Sequence, residues 1–220
     1  MNIRACIFDL DGTLLNTLED LANAANASLA EAGHPTHPLD AYRTFVGDGV
    51  FNLFRRALPA TLTETEKDTA VADLVPRFER IYATCWHAIT APYPGIGELI
   101  AILRSRGLPL AILSNKPHPF TVEMVNHFFP RDTFTAVFGA RPHVARKPDP
   151  AAALEVAALL GVTPAEVLFV GDSNTDMRTA ANAGMPSAGC IWGFRGEAEL
   201  RAAGATLLLQ TPADLPDYIA

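Results

Sequence analysis

The sequence predicts an α/β fold, a Rossmann-like doubly wound parallel sheet core carrying an inserted α-helical cap. Three observations lead there. A short apolar run, Ala5–Phe8, ends abruptly in Asp9 and Asp11, as a buried parallel strand does where it leaves its sheet. From Gly95 onward strand-like apolar runs alternate with helical ones, the order that gives a parallel sheet with right-handed crossovers. Between them, residues 16–90 hold helical periodicity and no convincing strand. The expected division is therefore 1–15 plus 91–220 as the core and 16–90 as the cap.

Each element follows from local signals. Thr17 is expected to cap the first helix, with Asp20 three residues on as in a capping box and Gly33 at its end. Leu18, Leu21, Ala22, Ala25 and Leu29 keep helical spacing between them. A His- and Pro-rich turn at 34–38 precedes helical stretches at 50–58 and 64–87, the latter with Val71, Leu74, Val75, Phe78, Ile81 and Tyr82 on one face. Pro92-Tyr93-Pro94-Gly95 marks a boundary. A helix at 96–106 stops at Gly107, and a strand at 110–113 leads into Ser114-Asn115-Lys116. A helix at 119–128 precedes a weaker strand at 136–138. Asp149-Pro150 opens a helix with a capping acid and a proline at its first position, and Gly161 closes it. A strand at 167–170 runs into Gly171-Asp172-Ser173, the next helix ends at Gly184, and strands at 188–191 and 206–208 complete the set.

Composition narrows the function classes. The 220 residues suit one generous domain, or a core with a smaller insertion, and 49% hydrophobic against 19% charged residues supports a sizeable buried core. The formal charge is −7 and no basic cluster exceeds Arg55-Arg56, so nucleic acid is not an expected partner. No apolar stretch approaches the roughly 20 residues that span a bilayer, and Asp9 and Asp11 interrupt the first apolar run too early for a signal sequence. The three cysteines are widely spaced and read as reduced thiols. The expectation is a soluble cytoplasmic protein, monomeric or homodimeric, with no membrane contact.

The chemistry-bearing residues recur where strands end. The first strand supplies Asp9 and Asp11, the 110–113 strand Ser114 and Asn115, the loop before Asp149 supplies Lys147, and the 167–170 strand Asp172 with Asp176 four residues later. Parallel strands present their carboxyl ends on one edge, so these residues can converge. Taken singly, each has an ordinary structural explanation. Asp-x-Asp can be a charged turn, Ser114 a cap, Lys147 a solvated charge, and Asp172 with Asp176 a favourable pair at a helix N-terminus. Together they supply several acids, a hydroxyl and a lysine, the inventory of metal-assisted phosphoryl transfer.

The runs Phe8-Asp9-Leu10-Asp11-Gly12-Thr13-Leu14, Ser114-Asn115-Lys116, Lys147-Pro148-Asp149-Pro150 and Gly171-Asp172-Ser173-Asn174-Thr175-Asp176 resemble the four motifs of the haloacid dehalogenase-like (HAD) hydrolases, in the family's order and at its usual spacings. The resemblance spans essentially the whole chain, including a helical cap inserted after the first motif. Thr44-Phe45-Val46-Gly47-Asp48-Gly49 and Trp192-Gly193-Phe194-Arg195-Gly196 resemble the phosphoglycolate phosphatase branch. The resemblance implies that Asp9 attacks phosphorus to form an aspartyl-phosphate, and that Asp11 acts as proton donor and acceptor. It implies Mg²⁺ held by Asp9, Asp172 and the Asp11 backbone carbonyl, with Asp176 holding a metal-bound water or orienting Lys147. Gly12, Ser114, Asn115 and Lys147 would bind the phosphate, Lys147 also neutralising charge as it transfers.

Within that family Asp11 argues against a dehalogenase, since a halide needs no proton. The expected substrate is a small phosphorylated metabolite, foremost 2-phosphoglycolate. A sugar-phosphate or pyrophosphate phosphatase and a β-phosphoglucomutase-like mutase stand as alternatives, with a phospho-aspartate signalling receiver more distant because it lacks a helical insertion. A dinucleotide oxidoreductase fails, because Gly95-Ile96-Gly97 follows no strand and lacks a third glycine. Substrate choice is expected in the cap, at a tip formed by Gly47, Asp48 and Gly49 with Arg43 close in sequence. Lys116 is a further candidate for a substrate carboxylate from the core side, and exposed Phe51 and Phe54 are candidates for a dimer contact.

Overall fold

The computed structural model describes residues 1–219. In chain order its elements are β1 (Ala5–Phe8), β2 (Leu15–Asn16), α1 (Leu18–Glu31), α2 (Leu39–Phe45), α3 (Val50–Ala57), α4 (Glu64–Cys85) and β3 (Ala91–Pro92). They continue as α5 (Ile96–Ser105), β4 (Leu110–Pro117), α6 (His118–Phe128), β5 (Ala136–Ala140), α7 (Ala151–Leu159), β6 (Val167–Gly171), α8 (Asn174–Ala183), β7 (Ser187–Cys190), α9 (Glu197–Ala202) and β8 (Leu207–Leu209). The chain divides into two compact units, Met1–Leu15 with Pro92–Ala220, and Asn16–Ala91. β2 and β3, where the chain passes from one unit to the other, pair as a two-stranded sheet.

The first unit is a six-stranded sheet in the order β5-β4-β1-β6-β7-β8, parallel throughout. The predicted α/β class is the observed one. β1 is central, with Phe8 opposite Ile112 on one side and Val170 on the other. All four β1 residues and all five of β6 are buried, which is why they read as unbroken apolar runs rather than alternating ones. On one face Ala5, Ile7, Ala111, Leu113, Val167 and Phe169 meet Ala152, Ala153, Val156, Ala157, Ala180 and Ala183 of α7 and α8. Alternate strand residues share that face, and the small alanines let both helices lie close upon it. From β1 the chain builds outward through β4 to β5, then returns to build β6, β7 and β8 on the other side. That reversal opens a crevice beyond the carboxyl end of β1, the usual ligand position in such sheets.

The helical unit packs α1 along α4, with α2 and α3 completing it. Phe54 and Tyr42 are fully buried there, and Phe78 stacks on Tyr82 with ring centroids 5.1 Å apart. Phe54 therefore belongs to this core and offers no outward contact, whereas Phe51 is 45% exposed. Asn26 clasps the His37 backbone through both ends of its amide, at 2.9 and 2.8 Å, which fixes the His/Pro-rich turn.

Several local expectations change. Thr17 is the N-cap residue of α1 but its side chain makes no cap bond, and its buried hydroxyl has no partner. Asp20 is turned away from it, accepting the Ile89 N–H, the Thr90 N–H at 2.8 Å and the Thr90 hydroxyl at 2.7 Å. The expected capping box is thus replaced by a link across 70 residues. Asp149 accepts from the Ala151 N–H at 2.9 Å while Pro150 occupies the cap position, so α7 starts one residue later than its motif suggests. β4 runs on through Pro117 with a register shift after Leu113.

Candidate active site

The residues at the crevice are held by the sheet ends described above. Asp9 follows β1 directly, its N–H donating to the Val170 carbonyl at 2.9 Å so that β6 fixes where it leaves the sheet. The next residues curl back on themselves: the N–H groups of Leu14 and Leu15 both donate to the Leu10 carbonyl at 3.0 Å. Gly12 sits in this curl with φ of 81°, and a Cβ there would lie 2.3 Å from an Asp172 oxygen. Glycine is required on both counts. The Gly12 N–H itself donates to the Leu15 carbonyl at 2.9 Å, so this position contributes close approach of the backbone.

Three carboxylates gather here. Oxygens of Asp9, Asp172 and Asp176, all buried, lie within 4.8 Å of one another. Lys147 reaches between two of them, its Nζ 2.9 Å from Asp9 Oδ1 and 2.7 Å from Asp176 Oδ1, with Phe169 beneath at 5.7 Å from its ring centroid. Burial works against the lysine's charge, but Asp176 and Asp9 together outweigh it and hold the ammonium above its ordinary range. Burial pushes the Asp9 carboxyl up to about 7, with Asp176 and Asp11 adding to the rise and Lys147 opposing it. Asp172 is likewise driven well above its ordinary value by burial and by its two acidic neighbours, against the pull of the Phe194 N–H.

Each acid is oriented by further contacts. Asp172 accepts from the Thr13 hydroxyl at 3.2 Å and from the Phe194 N–H at 2.8 Å. Asp176 accepts the Ser173 N–H and hydroxyl at 3.0 and 2.6 Å, so one oxygen serves as a cap of α8 while the other holds Lys147. The Asn115 side chain binds the backbone of Lys147 on both sides, accepting its N–H at 2.9 Å and donating to its carbonyl at 3.1 Å. Asn115 thereby positions the lysine. Ser114 lies buried beside it, its hydroxyl accepting the Lys116 N–H at 3.2 Å. Asp11 stands apart from the three-acid cluster, gripped by Lys116 Nζ at 3.0 and 3.1 Å.

The donor set fits a hard divalent cation. Three buried carboxylates face one ammonium, so with all three ionised two negative charges would stand unbalanced in a site that burial makes costly for any net charge. All-oxygen ligands of this kind suit Mg²⁺ rather than a softer metal.

Of the residues expected from sequence, Asp9, Asp11, Gly12, Ser114, Asn115, Lys147, Asp172 and Asp176 all lie in the first unit at these sheet ends. Gly47, Asp48, Gly49 and Arg43 lie in the helical unit. There Gly47 and Gly49 take φ of 124° and 88° on either side of Asp48, which pairs with Arg56, and Arg43 pairs with Asp40 at 3.1 Å. Thr13, Trp192 and Phe194 had been given no role. Trp192 Nε1 donates to the Thr13 carbonyl at 3.0 Å and the Phe194 N–H to Asp172, so the segment after β7 braces the loop after β1. The signal for them was present in the Trp192-Gly193-Phe194 run.

Comparison with known proteins agrees with this geometry. A family model described as haloacid dehalogenase-like hydrolase matches residues 6–190. A phosphoglycolate phosphatase from Pseudomonas putida is 38% identical over 192 residues, covering 87% of this chain and 70% of the relative. One from Psychrobacter arcticus is 31% identical over 223 residues, covering 100% and 96%. The crystal structure of a protein provisionally named a phosphoglycolate phosphatase, from Lactobacillus delbrueckii, has a TM-score of 0.91 and 32% identity, covering 100% of this chain and 99% of that one.

Proposed function

This chain belongs to the haloacid dehalogenase-like hydrolases and is a phosphatase of their phosphoglycolate phosphatase-like branch, and on that premise we propose that it hydrolyses 2-phosphoglycolate with Mg²⁺ through a phosphoryl-enzyme on Asp9. The observation that carries the reading is the convergence of Asp9, Asp172, Asp176 and Lys147 beyond the carboxyl end of β1.

Asp9 is the nucleophile. Its Oδ1 is held by Lys147 and by the Leu10 N–H at 2.7 Å, which leaves the other oxygen to make the in-line attack. The P–O bond to the leaving group breaks as the Asp9–phosphorus bond forms. Asp11, two residues on, donates a proton to the departing oxygen and then accepts one from the water that attacks the acyl phosphate. Lys147 and the Ser114 hydroxyl stabilise charge on the phosphoryl oxygens. Asp9 and Asp172, with the Asp11 carbonyl, would hold Mg²⁺, while Asp176 keeps Lys147 in place. The cation supplies charge neutralisation, which lets a carboxylate approach a phosphate dianion. Residues 1–15 and 91–220 form the catalytic core in this reading and 16–90 a cap that selects the substrate, with Gly47, Asp48, Gly49 and Arg43 its candidate contacts.

The test is phosphate release from a panel of phosphomonoesters and pyrophosphate, with Mg²⁺ or with chelator. The expected result is cation-dependent release, highest for 2-phosphoglycolate. Equal rates on sugar phosphates, or transfer of the phosphoryl group to a sugar instead of water, would contradict it.

A further inference from the structure

Lys116 has a place in the site that the phosphoryl chemistry does not use. Lys147 already serves Asp9 and Asp176, whereas Lys116 takes both oxygens of Asp11, at 3.0 and 3.1 Å. The pair is nearly closed to solvent, with side-chain exposures of 6% and 13%. The Lys116 backbone is pinned on both sides, its N–H by Ser114 and its carbonyl by the Thr121 hydroxyl at 3.2 Å. The ammonium is thus fixed beside the acid that serves the leaving group.

This arrangement creates a requirement. An Asp11 that turns an oxygen toward the ester must release part of the Lys116 grip, and a buried ammonium short of an anion is costly. A substrate carboxylate offers that ammonium a second anion. Two hydrogen bonds of about 3 Å each, with about 2 Å between the carboxylate oxygens, set Nζ within roughly 8 Å of the ester oxygen that Asp11 serves. A carboxylate attached one carbon from that oxygen falls inside this span, and the neutral hydroxyls of a sugar cannot supply the charge.

We infer that Lys116 is the residue that reads the substrate's carboxylate, exchanging Asp11 for it when substrate binds. The inference rests on the proposed 2-phosphoglycolate activity and deepens it: specificity for a short α-carboxylate is built into the core beside the catalytic acid. Lys116 then acts both as a substrate contact and as the group that holds Asp11 when no substrate is present.

The test compares 2-phosphoglycolate with ethyl phosphate, which has the same length but a methyl group in place of the carboxylate, for wild type, Lys116→Met and Lys116→Arg. Wild type is expected to favour 2-phosphoglycolate in kcat/KM. Lys116→Met should lower that preference by about 100-fold, the scale of losing a buried charge-assisted contact, mostly through KM, and Lys116→Arg should restore part of it. If Lys116→Met lowers both substrates equally, Lys116 only holds Asp11 and the inference fails while the phosphoglycolate reading stands. If wild type shows no preference, that reading fails and the inference with it. Lys116→Gln, which keeps the stem and a donor to Asp11, carries the same expectation should the methionine variant not fold.

Discussion

The two units place their charges in opposite ways. In the helical unit they are paired at the surface: Arg55 with Glu64 and Asp68, Arg80 with Glu31, and Arg77 with Asp73 and Glu31. In the sheet unit Asp9, Asp172 and Asp176 are buried together against one lysine. Exposed pairs are screened and contribute about 0–1 kcal/mol each, so their loss is easily tolerated. A buried excess of one sign is a standing cost, and it persists in a fold only where a ligand relieves it. The contrast separates charges that decorate a surface from charges that define a site.

That contrast can be broken at several points. The largest effect on stability is expected from Lys147→Ala. It removes the sole ammonium in contact with Asp9 and Asp176 among the described residues; kcat should fall by about 10²–10³, as for loss of an oxyanion-stabilising donor. Leaving buried carboxylates unpaired should also destabilise the metal-free protein by about 3–5 kcal/mol, read as a lower Tm in chelator that added Mg²⁺ partly restores.

Asp172→Asn should do the reverse to stability. Asparagine can still accept the Phe194 N–H and meet the Thr13 hydroxyl, but it carries no charge. In chelator at pH 8 the variant should melt about 2–4 °C above wild type, corresponding to about 1 kcal/mol in a chain of this size, while losing cation-dependent activity. The pH dependence has a definite sign. Asp9 and Asp172 bind protons more tightly folded than unfolded, so what these two groups contribute to stability in chelator is fully present below about pH 4 and is lost as pH rises toward the folded Asp9 value of about 7. The advantage of Asp172→Asn should therefore shrink to nothing at pH 4, as thermal melts across that range would record.

The smallest effect is expected from Arg80→Ala in the helical unit. Its side chain is 63% exposed and bonded to Glu31 at 2.6 Å. The variant should keep wild-type turnover and a Tm within about 2 °C, since an exposed pair of this kind is worth little. A larger loss of activity would blur the distinction drawn between the units.

Much of the sheet unit could be read from sequence because burial on both faces leaves strands as plain apolar runs, and acids at their ends stand out sharply. Asp9, Asp11, Asp172 and Asp176 stood out by that contrast, whereas Lys147 lies in a loop and its role came with the resemblance of the four motifs. What the sequence hid were partners chosen by tertiary structure. Thr17-x-x-Asp20 has the same spacing whether Asp20 turns to its own helix or to Thr90, and only packing decides. Asn115 was expected as a phosphate ligand, and nothing in the sequence signalled that its side chain also binds the Lys147 backbone 32 residues away. Phe51 and Phe54 are three residues apart on one helix, so composition cannot tell which is buried. The Lys116–Asp11 pair was beyond reach for the same reason, since it joins residues 105 apart whose strands meet only in the folded sheet.

The measurement closest to the central claim is a rapid acid quench of the protein turning over phosphorus-labelled 2-phosphoglycolate with Mg²⁺, followed by peptide mapping. The account predicts transient label on Asp9, formed before phosphate is released and absent in Asp9→Asn, whose turnover should fall by about 10⁴-fold or more as for other lost nucleophiles. Steady hydrolysis with no label on the chain, or label on any other residue, would contradict it.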